Sequence, residues 1–152
     1  VKRGDTNTME KILIVYWSGT GNTEIMANAM LTALKENNAD AELKWVSEVD
    51  AAETLTYDKI IFGCPAMGDN VLEELEFEPY FAELLPHLKG RKIALFGSYG
   101  WYDDPIWMDI WEDRVKEVGA LLFREKGLSC IYQPDDDKIR ECMDFAKEFI
   151  NF

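Results

Sequence analysis

Histidine occurs once in the 152 residues, at His87, so any mechanism that needs two imidazoles is excluded. Cysteine is sparse and odd in number: Cys64, Cys130 and Cys142 show no C-x-x-C spacing. That pattern speaks against a disulfide scaffold and a zinc site, and it fits a reducing, cytoplasmic compartment. No run of about 18 apolar residues is present, so a transmembrane helix is not expected. The first residues lack the charged and then apolar segments of a signal peptide. Cations are also few: Lys and Arg number 16 against 29 Asp and Glu, a net charge of −13. This deficit argues against nucleic-acid binding and against anionic membranes, both of which favour basic patches. It leaves room for a basic protein partner.

What is present is an ordinary globular composition, 47% apolar and 30% charged. A chain of this length can bury about 70% of its unfolded surface around one core. Val1–Thr8 has no periodicity and precedes Met9. It is read as an appended remnant, and residues 9–152 as the domain.

From Met9 onward the pattern alternates. Lys11–Tyr16 is short, β-branched and nearly all apolar, which suits a strand buried on both faces. Asn22–Asn37 has helical spacing and an Asn-Asn stop. Ala41–Val46 alternates as a strand. Lys59–Gly63 and Lys92–Ser98 are further buried strands, with a short helix predicted over Pro79–His87. A helix is predicted from Asp104-Pro105 to about Val118, followed by Gly119. Ala120–Arg124 and Leu128–Ile131 are strand-like around Glu125-Lys126-Gly127. Asp135-Asp136-Asp137 opens a final amphipathic helix whose N-terminal dipole favours acids. Strands alternating with helices predict an α/β fold, a doubly wound parallel sheet covered on both faces.

In such sheets ligands bind beyond the carboxyl ends of the strands. Three loops lie there. Ser18-Gly19-Thr20-Gly21-Asn22-Thr23 follows the first strand and opens the first helix. Its glycines, hydroxyls and helix-terminal amides suit a phosphate; the plain alternative is an ordinary helix cap. It is not a Walker A loop, and Glu24 stands where a dinucleotide fingerprint needs Gly. Pro65-Ala66-Met67-Gly68-Asp69-Asn70 offers a polarizable thioether that can lie against an aromatic face, or else a simple Gly-Asp turn. Ser98-Tyr99-Gly100-Trp101-Tyr102-Asp103 offers aromatics that either stack on a ligand or pack back on the domain.

Taken together and in order, these loops resemble the flavodoxins, in particular the short-chain type of anaerobic bacteria. The matching stretches are residues 15–24 (V-Y-W-S-G-T-G-N-T-E), 66–69 (A-M-G-D), 71–74 (V-L-E-E), 76–79 (E-F-E-P) and 94–101 (A-L-F-G-S-Y-G-W). The likeness spans essentially all of Met9–Phe152. Long-chain members carry an extra loop inside the last strand, whereas here only Glu125-Lys126-Gly127 intervenes. The resemblance implies a five-stranded sheet of order 2-1-3-4-5, the order for which flavodoxin is itself the standard example.

It also implies a bound FMN that shuttles single electrons between redox enzymes. Ser18, Thr20, Asn22 and Thr23, with the amides of Gly19 and Gly21, are then expected to hold the phosphate. Met67 is expected on the inner flavin face and Trp101 on the outer. The Gly68-Asp69 peptide is expected to turn with redox state and offer a carbonyl to the protonated flavin N5. Gly100 and Trp101 are expected near N1 and O2. Relatives have Glu where this chain has Asn70, an uncharged acceptor for flavin N3–H. They often have Ser where this chain has Pro65. Tyr102 stands where Gly is common.

No Lys or Arg occurs in residues 12–34, 60–88 or 93–113. Residues 69–78 hold five acids (Asp69, Glu73, Glu74, Glu76 and Glu78), and residues 103–113 hold another five (Asp103, Asp104, Asp109, Glu112 and Asp113). An anionic reduced flavin beside carboxylates is disfavoured, which lowers the second reduction potential. The expectation is a monomeric, low-potential carrier working between semiquinone and hydroquinone for partners with basic docking surfaces. The alternative on the same fold is a small flavin-dependent quinone or nitro reductase. A phosphoacceptor signalling domain fits less well, because the first strand ends in Tyr16-Trp17-Ser18 without acids. His87, the cysteines, Trp107 and Trp111 are read as structural.

Overall fold

The computed structural model describes residues 9–100 and 104–152. Trp101, Tyr102 and Asp103, all expected at the site, lie outside the described residues, as do residues 1–8.

The chain runs β1 (Lys11–Tyr16), α1 (Asn22–Glu36), β2 (Asp40–Trp45), α2 (Ala51–Thr54), β3 (Lys59–Gly63), α3 (Phe77–Leu84), β4 (Lys92–Tyr99), α4 (Ile106–Glu117), β5 (Leu121–Leu122), β6 (Leu128–Ile131) and α5 (Asp136–Phe149). The strands are parallel in the order β2-β1-β3-β4-β5, and β6 also pairs with β4. The predicted doubly wound topology is therefore the one observed.

The two sides of the sheet explain why the inner strands lack hydrophobic alternation. Leu13, Val15, Ile60, Phe62, Ile93 and Leu95 pack in one core with α3 and α4. Their neighbours Ile12, Ile14, Ile61, Ala94 and Phe96 pack in the other with α1 and α5. Side chains alternate between faces along a strand, so a strand covered on both sides must be apolar throughout.

β5 and β6 are successive pieces of one edge strand. Lys92 and Ile93 pair with Leu121 and Leu122, and Phe96 then pairs with Leu128. Residues 94 and 95 of β4 thus stand opposite 123–127, and the surplus loops out with Arg124 and Glu125 at φ of 60° and 56°. Glu112 of α4 holds the point of return, accepting the Gly127 N–H at 2.8 Å.

Helix α3 begins at Phe77, before the predicted start at Pro79. Pro79 is its third residue, where the missing N–H costs nothing because first-turn amides have no intrahelical acceptor. Glu73 caps the turn: its carboxylate accepts the N–H groups of Leu75, Glu76 and Phe77, each at 2.8 Å. The alternation of strands and helices calls for a helix between β2 and β3 but gives it no bounds, because α2 is only four residues long. So short a helix has no apolar period to read; Asp50 caps it by accepting from Glu53 N–H at 2.8 Å.

His87 is exposed in a single turn after α3. All three cysteines are buried, and burial pushes their thiols up, Cys142 to about 12. Trp107 and Trp111 are core residues, each 1% exposed. No helix among the described residues is long and apolar enough to cross a membrane. No cluster of metal-ligating side chains occurs among them either.

Candidate cofactor site

A cleft of about 550 Å³ opens beyond the carboxyl ends of β1, β3 and β4. Its size lies within the ~300–1,000 Å³ of small-molecule sites. The loop after β1 contributes Trp17, Gly19, Thr20 and Asn22, and the loop after β3 contributes Pro65, Ala66, Met67 and Gly68. Ser98, Tyr99 and Gly100 come from the end of β4, and Tyr132 from just beyond β6. All three predicted loops therefore converge.

The first loop enters α1 through Gly21, which caps the helix at φ 100°, a left-handed backbone that glycine adopts without a Cβ penalty. Ser18 Oγ accepts the Glu24 N–H at 3.2 Å, and its own O–H remains a donor. Thr23 faces inward: it is 1% exposed, and its Oγ1 lies 2.8 Å from Ser98 Oγ. Its hydroxyl thus joins the first loop to β4. Tyr16 Oη donates to Glu24 at 2.9 Å, and burial followed by this bond raises the phenol to about 12.

The second loop is a closed turn. Met67 N–H donates to Val71 O at 2.8 Å and Val71 N–H donates to Met67 O at 3.0 Å. Between them Gly68 and Asn70 have φ of 43° and 61°. Pro65, Ala66, Met67 and Gly68 line the cleft, but Asp69 and Asn70 line a smaller cavity of about 150 Å³ behind the turn. Asn70 Oδ1 is buried there without a hydrogen-bond partner.

Two cleft residues were not singled out as ligands from the sequence. Trp17 is half-buried, and its Nε1–H donates to Glu76 at 3.1 Å. Tyr132 is 62% exposed at φ 60°, and its N–H donates to Tyr99 O at 2.7 Å. The position of Tyr132 immediately after a strand was the available signal. Only the loops after the first, third and fourth strands carry motifs, so the sequence pattern alone does not mark it.

None of the described residues lining the cleft is ionisable as a carboxylate or a cation. The acids around it are unequal. Glu73 is consumed in capping α3, Glu112 holds Gly127, and Glu78 forms a two-bond pair with Arg114 at 2.8 Å. Glu76 is the acid tied to the cleft wall, through Trp17.

A neutral phosphate-type loop at a helix N-terminus, beside an apolar cleft at the switch point of a doubly wound sheet, marks a protein of the α/β class suited to a phosphate-bearing ligand with an apolar body. The chain belongs to the flavodoxin family: the model of that family, described as Flavodoxin, matches residues 14–145. It is 44% identical over 138 residues to a flavodoxin of Clostridium beijerinckii, covering 91% of this chain and 98% of that one. It is 42% identical over 134 residues to a flavodoxin of Megasphaera elsdenii, covering 88% and 94%. The solution structure of two-electron reduced Megasphaera elsdenii flavodoxin superposes with a TM-score of 0.81 at 40% identity, covering 93% of this chain and 99% of the other. Flavodoxins are FMN-binding electron carriers.

The residues present fit that cofactor. Thr20 and Asn22 offer neutral donors beside the free amides of the α1 terminus, as an anionic phosphate requires. Ala66, Met67, Tyr99 and Tyr132 offer apolar and aromatic surface for the ring system. When bound, FMN supplies the one-electron chemistry. The chain orients it, excludes water from it and sets the charge around it.

Proposed function

We propose that this protein is a low-potential one-electron carrier, not an enzyme with a substrate of its own, working between the semiquinone and hydroquinone states of FMN. The observation that carries this reading is the absence of any cation among the described cleft residues, together with exposed acids at Asp69, Glu74, Asp104 and Asp109 in the second loop and in the segments that follow the second and third loops. Nothing there offsets the negative charge of a fully reduced flavin, so its formation is disfavoured. Gly68 supports the reading too, since glycine lets the peptide after it turn at low backbone cost.

Ser18, Thr20, Asn22 and Thr23 would hold the phosphate loop in shape or bind phosphate, with the Gly19 and Gly21 amides. Met67 and Trp101 would flank the ring, and the 98–103 segment would border its pyrimidine edge. The exposed acids would steer a partner carrying a basic docking surface, with the protein acting as a cytoplasmic monomer. A redox titration of the purified protein tests this. The expected result is a hydroquinone-forming midpoint well below that of free FMN, with a neutral semiquinone visible on half-reduction. A midpoint at or above that of free FMN would overturn the reading.

A further inference from the structure

Trp107 joins two walls of the cofactor cleft without lining it. It is the second residue of α4 and is 1% exposed. Its Nε1–H donates to Cys64 O at 3.1 Å, and its ring lies 5.5 Å from that of Tyr99, centroid to centroid. Cys64 directly follows β3 and precedes Pro65, the first cleft residue of the second loop. Tyr99 ends β4 and lines the cleft.

Pro65 has no N–H, so the Cys64–Pro65 peptide carries a single polar group, the Cys64 carbonyl. Trp107 binds that group. The amides on either side, those of Cys64 and Ala66, donate to Phe96 O and Ser98 O of β4 at 3.1 and 2.9 Å. Gly97 lies between these two acceptors. A Cβ there would collide with Cys64 O and come within 2.9 Å of Trp107 Cζ2. Glycine therefore leaves the space in which the indole from α4 reaches the end of β3. Trp111, one helical turn further on, packs instead on Phe77 and Phe81 of α3, at 5.7 and 5.6 Å between ring centroids.

We propose that Trp107 is a positioning residue for the cofactor cleft. Its N–H fixes the plane of the Cys64–Pro65 peptide, which leads into Ala66, Met67 and Gly68, and its ring backs Tyr99. Helix α4 thereby sets the spacing between the second loop and the end of β4. The effect on FMN rests on the reading of the cleft as the flavin site; the hold on the loop does not.

Trp107→Phe keeps an aromatic ring beside Tyr99 and removes the N–H. Trp111→Phe is the control, a buried tryptophan of the same helix whose ring packs on α3. Amide hydrogen exchange is read first, in the purified full chain, with the Ile60, Ile61 and Phe62 amides of β3 as the internal reference for global stability. In Trp107→Phe the Ala66 and Met67 amides are expected to lose protection about five-fold relative to that reference. In Trp111→Phe the ratio is expected to stay at the wild-type value. An unchanged ratio in Trp107→Phe, or an equal loss in both variants, would overturn the proposal whatever the flavin does.

The FMN dissociation constant, read by flavin fluorescence, is expected to rise about five-fold in Trp107→Phe and less than about two-fold in Trp111→Phe. The midpoint of the first one-electron step is expected to move in Trp107→Phe alone. A change in exchange with neither affinity nor midpoint moved would overturn the role at the cleft and leave the electron-carrier reading intact. A wild-type chain that bound no FMN would overturn that reading instead, and the exchange ratio would still decide the hold on the loop.

Discussion

Thr23 Oγ1 and Ser98 Oγ lie 2.8 Å apart in a buried hydrogen bond that ties the loop after β1 to the end of β4. The two walls of the cofactor cleft are thereby fixed relative to each other. Thr23→Val keeps the shape and removes the hydroxyl, leaving Ser98 without this partner in a site 5% exposed. Loss of the bond and an unsatisfied hydroxyl cost about 1–3 kcal/mol. The expected outcome is a lower denaturation midpoint and a several-fold weaker FMN affinity, read by flavin fluorescence. Retention of both would show that the two loops are held by other means.

Gly68 sits at φ 43° within a turn closed by the Met67–Val71 pair. An alanine there meets no nearby atom, so any effect comes from backbone strain and not from crowding. Left-handed backbone costs a residue with a Cβ about 1–2 kcal/mol. Gly68→Ala is therefore expected to weaken FMN binding by about ten-fold and to narrow the separation of the two one-electron midpoints. Spectroelectrochemical titration against wild type checks it, and an unchanged separation would contradict the role given to this peptide.

Much of this was legible in the residues. The two-faced burial of β1, β3 and β4 is written in their unbroken apolar runs, and the phosphate-type loop in Ser18–Thr23. The start of α3 was not, because Pro79 looks like a first residue when the true cap is the Glu73 carboxylate, which binds Leu75, Glu76 and Phe77 amides. The acids of 69–78 looked uniform along the chain. Only tertiary structure separates Glu73 and Glu78, spent on a cap and on Arg114, from those left facing solvent. Asn70 is not among the residues that line the cleft; it lines the smaller cavity with Trp107 and Trp111. Side-chain direction in a turn with alternating left-handed residues has no sequence period.

Asn70 stands where the resemblance to the family implies a Glu. Asn70→Glu restores a carboxylate on a turn that already bears Asp69. An added negative charge opposes the formation of an anionic reduced flavin. The expected outcome is a more negative hydroquinone-forming midpoint, and the effect shrinks as salt is added. A redox titration at low and high ionic strength measures both, and no change in either quantity contradicts the expectation.

Glu112 carries the pH dependence that can be assigned to one group. It is 7% exposed, and burial raises its carboxyl above the ordinary glutamate range, with the Gly127 N–H partly opposing the rise. Between the ordinary value and the raised one, the folded protein binds more protons at this site than the unfolded chain. Stability therefore falls as pH rises through that interval and then levels off. Glu112→Gln removes the titration while its side-chain carbonyl can still accept from Gly127. The variant is expected to gain on wild type as pH climbs from the acid range toward neutrality, with no such gain below the ordinary glutamate value. Urea unfolding of both proteins across that range decides it. A difference that stays constant with pH would mean that Glu112 titrates in the fold as it does in the unfolded chain.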